Sequence, residues 1–208
     1  MDIKLFPLGP LETNSYLVSA GSAAVAIDVG GDPAEILAHL RARDLTLEAI
    51  LLTHLHCDHL YGVDALAKAT GAKVLAGAED AILKNTEVGR GGMMGLPVVA
   101  PFPWDPVEPG EMQLLGQTCR VLATPGHSPG SRSYHFPQEQ VVFVGDLLFQ
   151  RFIGRSDFPG GDFETLINSV VQQIFPMGPD TVVYPGHGLS TTVGDEMQHN
   201  PYFSEFAQ

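Results

Sequence analysis

Cysteine is nearly missing from this chain, with only Cys57 and Cys119 in 208 residues. Two cannot build a disulfide framework, and so few are usual in a reducing compartment. Basic side chains are scarce as well, 11 Lys and Arg against 24 Asp and Glu, and the formal charge at pH 7 is −13. A phosphate backbone would meet net repulsion, so nucleic acid is not expected as a partner. No apolar run nears the roughly 20 residues that a spanning helix needs. The opening Met1-Asp2-Ile3-Lys4-Leu5-Phe6-Pro7 lacks the basic and apolar segments of a leader. The chain therefore reads as soluble and cytoplasmic, with no membrane partner. Hydrophobic residues make up 44%, enough to bury a core, and the length fits one domain over 1–208.

What is present is histidine, concentrated in one place. Thr53-His54-Leu55-His56-Cys57-Asp58-His59 follows the apolar run Ala49-Ile50-Leu51-Leu52. A buried strand ending in three imidazoles and a carboxylate is costly unless something compensates the crowded polar groups. Imidazole nitrogen and carboxylate oxygen suit zinc, manganese or iron, so the stretch asks for further ligands elsewhere. Three more sit where apolar strands end, each preceded by glycine: Gly126-His127, Gly145-Asp146 and Gly186-His187. His39, His135 and His199 lack that context and read as surface or structural residues. Cys57 reads as a small buried filler between ligands.

Around these residues the pattern alternates strands and helices. Three short antiparallel strands are expected within the first 30 residues, then a helix opened by Asp32-Pro33-Ala34-Glu35 and running to about Arg43. A strand over 48–53 delivers the histidines, and helices follow over 61–70, closed by Gly71, and 78–84. Residues 86–110 hold so many glycines and prolines that no regular element is expected, yet Met93, Met94, Leu96, Phe102 and Trp104 make the stretch too apolar for a linker. It reads as a loop packed on its own domain, with a lid over the site or a dimer contact as alternatives. Strands are expected at 112–116, 118–124, 131–136, 140–145 and 180–185. Asp162 should cap a helix over 163–175, in which Phe163, Leu166, Ile167, Val170, Val171 and Ile174 share a face. This order predicts an α+β sandwich, two stacked sheets with helices on the outer faces.

The seven residues resemble the metallo-β-lactamase superfamily, whose pattern is His-x-His-x-Asp-His followed by a separate His, a bridging Asp and a final His. The resemblance implies an αβ/βα sandwich in which His54, His56 and His127 bind one divalent metal and Asp58, His59 and His187 a second. Asp146 would bridge them. The metals it implies are zinc foremost, with iron or manganese as alternatives. Flavo-diiron proteins have glutamate where His56 stands, and lactamases of the family lack the bridging aspartate, so both branches fit less well.

Gly145-Asp146-Leu147-Leu148-Phe149, then Gly154-Arg155, and the ending Asn200-Pro201-Tyr202-Phe203 are similar to short, single-domain glyoxalase II-like hydrolases. That resemblance implies hydrolysis of acyl thioesters, S-D-lactoylglutathione foremost, by a hydroxide shared between two metals, with Asp58 handling its proton. Arg155 would contact the glutathione part, and Arg151 is the other local positive group. Two departures stand out. Only 21 residues follow His187, so the family's helical glutathione-binding domain is not expected, and Asp157 stands where an aromatic contact is usual. A lactonase with the same ligands, and a persulfide dioxygenase holding one iron through His54, His127 and Asp146, are the rival readings.

Overall fold

Side-chain alternation along the strands sorts the apolar residues into three cores. In this computed structural model, which describes residues 1–206, the first sheet contains β1 (Asp2–Leu8), β2 (Thr13–Ala20), β3 (Ala23–Ile27), β4 (Thr46–Leu51), β5 (Lys73–Ala76) and β6 (Asp105–Pro106), side by side in that order. The first three pair antiparallel and the next three join in parallel. β7 (Gly110–Leu114), β8 (Gln117–Ala123), β9 (Arg132–Phe136) and β10 (Val141–Gly145) begin the second sheet. A small hairpin of β11 (Leu148–Phe149) and β12 (Phe152–Ile153) follows, and β13 (Val182–Pro185) and β14 (Thr191–Thr192) complete the sheet in the order β14-β13-β10-β9-β8-β7.

Successive residues on a strand point to opposite faces. Tyr16, Val18, Val25, Ile27, Leu51, Tyr134, Phe136, Val141 and Phe143 accordingly fill the space between the sheets. Their neighbours Leu17, Ala24, Ala26, Ile50 and Leu52 face outward, onto Ile36 and Leu40 of α1 (Ala34–Ala42) and Val63 and Leu66 of α2 (Val63–Thr70). On the far side Val142, Val144 and Val183 meet Leu166, Val170 and Ile174. The expected sandwich is thus built from a period of two in the strands and one apolar face on each outer helix.

Several boundaries differ from expectation for local reasons. α1 starts one residue late, with Pro33 at the cap and Asp32 Oδ1 accepting from the Ala34 amide at 3.0 Å. Ala78–Asn85 is a 3₁₀ rather than an α-helix. The stretch 86–110 is not free of regular structure: α3 (Glu87–Arg90) is capped by Thr86, Gly91 bridges to Val98, and β6 joins the sheet. Its Val88, Val99, Phe102 and Trp104 pack on the first core, as expected of a loop covering its own domain.

The expected helix over 163–175 is three pieces. α4 (Phe163–Ser169), capped by Asp162 through the Thr165 amide at 2.8 Å, widens into a π-turn over Val170–Ile174 and tightens to 3₁₀ over Phe175–Met177. Pro176 has no amide to continue the ladder. Phe163 is half exposed, off the buried face. α5 (Val193–His199) follows β14, and Arg151 is anchored against it through Asp195 and Glu196.

Candidate metal centre

All four motif segments leave the sheets at the same edge. Beyond β4, the Thr53 carbonyl accepts from the Arg132 amide at 2.7 Å and the Leu52 carbonyl from the Tyr134 hydroxyl at 2.8 Å, tying the histidine turn to the second sheet. The loops after β8, β10 and β13 bring in His127, Asp146 and His187. Gly145 has φ +55°, and a Cβ there would run into the Thr53 side chain; a Cβ on Gly186 would occupy the space of Asp146 Oδ1. These glycines are what let three strand ends and one turn converge.

The seven residues meet in three overlapping donor groups: His54, His56 and His127; Asp58, His59 and His187; and His54, His59 and Asp146. The first two sets are the expected triads. The third places Asp146 between them, using one histidine from each. His127 Nε2 lies 2.8 Å from His56 Nδ1 and 3.2 Å from His54 Nε2. Asp58 Oδ2 lies 3.1 Å from His187 Nε2 and 3.6 Å from His59 Nε2, and Asp146 reaches His59, His127 and His187 at 3.4 to 3.7 Å.

Outside the cluster, partners fix which ring nitrogen points inward. Asp28 is the hub: its carboxylate accepts from the Thr53 amide and hydroxyl at 2.8 and 2.7 Å and pairs with His59 Nδ1 at 2.8 Å. His59 Nδ1 therefore carries the proton and its Nε2 faces the cluster. Because the Thr53 hydroxyl donates to Asp28, its oxygen accepts from His54 Nδ1 at 3.0 Å, and His54 Nε2 likewise faces inward. His127 Nδ1 donates to the Arg155 carbonyl at 2.6 Å. Imidazoles held this way present oriented lone pairs to a cation. A second carboxylate, the fully buried Asp80, accepts from the Leu55 and Gly130 amides and the Ser128 hydroxyl, clamping the turn to the His127 loop.

The cluster fits cations on two further grounds. His59 Nε2 and Asp146 Oδ1, both facing the cluster, are buried without a hydrogen-bond partner, a costly state for polar atoms that coordination would relieve. The donors are nitrogen and oxygen only, which suits zinc, iron or manganese. Burial and the neighbouring imidazoles hold His54 well below the ordinary histidine value, and burial with His127 beside it holds His56 down to about 3. Burial also opposes charge on His59, but Asp58, Asp146 and Asp28 outweigh it and raise that imidazole well above normal. The Asp58 hydrogen bond and Asp146 likewise outweigh burial at His187 and raise it. Both carboxyls, pushed up by burial but faced by His59, end lowered.

The cluster forms part of the floor of a cleft of about 430 Å³, walled by Met93, Met94 and Leu96 from one side and by Phe149, Phe152 and Phe158 from the other. Arg155 lines it as expected, but both its Nε and Nη2 donate to Asp157 at 2.8 Å. Arg151, expected as a second positive group, does not line the cleft: it donates to Asp195 and Glu196 at 2.8 and 2.7 Å. His39, His135 and His199 lie outside the cluster. Cys57 is buried on the cleft wall, its sulfur accepting from the Tyr61 hydroxyl at 3.2 Å. The sequence reading missed Asp28 and Asp80. Asp28 ends the buried strand Val25-Ala26-Ile27 as Asp146 ends its own, but without the preceding glycine; Asp80 sits in a segment read only as helix and carried no such mark.

A turn with three histidines and an aspartate, joined by His, Asp and His from three strand ends of a two-sheet sandwich, defines a class. The chain belongs to the metallo-beta-lactamase superfamily, whose pattern matches residues 8–187, and it is an enzyme of that superfamily's metallo-hydrolase kind. Among curated relatives it is 34% identical over 209 residues to the hydroxyacylglutathione hydrolase GloC of Haemophilus influenzae, covering 98% of this chain and 99% of that one. Among solved structures it is similar to the BLEG-1 B3 metallo-beta-lactamase, with TM-score 0.90, 39% identity, and 98% and 100% of the two chains covered. It is also similar to TTHA1623 in a di-iron-bound form, with TM-score 0.87, 39% identity, and 96% and 99% covered. BLEG-1 is described as a lactamase, the branch that Asp146 had made less expected. No helix among the described residues is long and apolar enough to cross a membrane.

Proposed function

We propose that this chain hydrolyses acyl thioesters, with S-D-lactoylglutathione the first substrate to test, at a centre of two divalent cations. His54, His56 and His127 would hold one, Asp58, His59 and His187 the other, and Asp146 both. The observation that carries this reading is the pair of buried, partnerless atoms His59 Nε2 and Asp146 Oδ1, which face the overlapping donor groups. Two cations there would supply the Lewis acidity that brings the pKa of water toward neutral and polarises a carbonyl oxygen.

The chain's own residues do the rest. Asp28 and the Arg155 carbonyl hold the imidazoles of His59 and His127 in one tautomer. Asp58, whose Oδ2 also meets the Thr13 hydroxyl at 3.5 Å, is placed to orient or accept the proton of attacking water. A thiol with a pKa of about 8.5 leaves as thiolate without a dedicated acid, which matches a cleft whose walls are mostly apolar. The relative GloC, described as a hydroxyacylglutathione hydrolase, supports the thioester as the bond attacked. Zinc and iron both fit the donors, and the di-iron form of TTHA1623 supports iron. The buried free thiols Cys57 and Cys119 support a cytoplasmic setting.

A second reading, hydrolysis of a β-lactam amide at the same centre, is supported by the likeness to BLEG-1. One experiment separates them: metal content measured beside turnover of S-D-lactoylglutathione, a lactone and a chromogenic cephalosporin, with oxygen uptake followed in parallel. The expected outcome is up to two metals per chain and thioester turnover above the others. Metal-loaded protein inert toward every thioester would overturn the proposal.

A further inference from the structure

At the cleft mouth the chain pairs an arginine with a carboxylate of its own. Arg155 is the one Arg or Lys among the described residues lining the cleft. Its guanidinium sits 4.3 Å over the Phe158 ring, and its Nε and Nη2 donate to the two carboxylate oxygens of Asp157 at 2.8 Å each. This two-point geometry is the one a substrate carboxylate would otherwise take. Phe158 in turn meets His56 edge-on at 5.2 Å between ring centroids, so the arrangement adjoins the reacting end of the cleft. Arg151 offers no substitute, being held by Asp195 and Glu196.

We propose that Asp157 is a specificity-determining residue: by occupying Arg155, it makes the cleft read the acyl and thioester end of a substrate rather than the charged part of its carrier. Thioesters of uncharged thiols are then taken as readily as those of glutathione. This rests on the thioesterase reading. The physical argument is an exchange: a substrate carboxylate must displace a carboxylate already paired, which gains little, and is repelled by the one displaced. The overall charge of −13 adds to that repulsion.

The test compares kcat/KM for S-D-lactoylglutathione with that for S-D-lactoyl-N-acetylcysteamine, which keeps the acyl group on a neutral thiol. The native ratio should be near one. Asp157→Asn should raise it about two- to fivefold, the scale of an exposed ion pair. The gain should come through KM with kcat unmoved, and adding Arg155→Ala should abolish it. Both Arg155 and Asp157 are well exposed, so these variants should fold. A native ratio already above about fivefold, the top of that scale, would overturn the proposal, as would a ratio left unmoved in Asp157→Asn. Binding of the unreactive thioether S-hexylglutathione, read by calorimetry, separates the two failures. If neither thioester turns over, the thioesterase reading falls, whereas tighter S-hexylglutathione binding in Asp157→Asn still supports the role of Asp157. No tightening sinks that role.

Discussion

At the floor of the cleft, the imidazoles of His54, His59 and His127 are each held by a partner on the outward ring nitrogen, through Thr53, Asp28 and the Arg155 carbonyl. At its rim, Met94 stands almost fully exposed and Phe152 and Leu11 about half exposed, and the one guanidinium is closed on a neighbouring carboxylate. The floor is assembled from both sheets and locked by hydrogen bonds that cross between them. The rim comes mainly from the loop after α3, the β11–β12 hairpin and the turn beyond it. Substitution at the floor should therefore act on metal and chemistry together, whereas substitution at the rim should act on which substrate binds.

The sharpest way to break this division is at Asp146. Asp146→Ala removes the carboxylate shared by the two donor sets, and we expect activity to fall by at least about a thousandfold with loss of bound metal. Elemental analysis beside turnover checks it; a variant that keeps both metals and is merely slow would show that Asp146 does not hold the sets together. Asp28→Asn comes next. It contacts no inward-facing donor atom but fixes Thr53 and His59, and loss of such an outer partner costs on the order of 10- to 100-fold in metal affinity or activity. A chelator competition measures the affinity. If Asp28→Asn changes KM alone, the tautomer argument fails.

The pH dependence of stability in the chelator-stripped protein tests the same floor. His54 and His56 have folded values below the ordinary imidazole value, so below pH about 6.5 the unfolded chain binds protons that the folded one refuses. Their contribution is therefore lost on acidification, His56 alone over the window from about 6.5 down to about 3, on the order of a few kcal/mol. His59 and His187 are shifted the other way. Their contribution is complete below the unfolded value and is lost as pH rises through their raised folded values. The cluster's contribution should thus peak near neutrality and fall on both sides, read as melting temperature across the pH range. Replacing His56 with Gln should flatten the acid limb only. A melting temperature that climbs steadily with pH would contradict the opposed shifts.

The floor was also the more legible region in the sequence. Four donors in one turn declare themselves because that combination has few uses, and glycine before His127, Asp146 and His187 marks strand ends that must approach closely. Asp28 was missed because Asp-Val-Gly-Gly reads first as a turn, and only the fold brings it beneath His59. The helix over 163–175 was legible as a buried face but not as a π-turn, since the periodicity of its apolar residues survives the widening while Pro176 reshapes the end. The rim was least legible. Met93, Met94 and Leu96 reach the cleft through contacts distant in sequence. The pairing of Arg155 with Asp157, though adjacent in the chain, depends on a turn geometry that residue types alone do not set.

The smallest expected effects lie at the rim. Phe152 is half exposed and packs edge-on against Tyr202 at 5.4 Å between ring centroids. A substrate can still bury the free half of its ring, which at full burial is worth about 1.5–3 kcal/mol, so Phe152→Ala should cost about 1 kcal/mol of binding, or roughly fivefold in KM. Met94 is 93% exposed, and ordering its freely rotating side chain against a substrate offsets most of what its burial gains, so Met94→Ala should move KM by less than about twofold. In both variants kcat and metal content should stay as they are, because uniform binding is what is removed. Measuring KM for lactoyl and longer acyl thioesters sharpens the point, since the Phe152 effect should grow with acyl length and the Met94 effect should not. A fall in kcat in Phe152→Ala would move the boundary, placing the β11–β12 hairpin with the floor rather than with the part of the cleft that chooses the substrate.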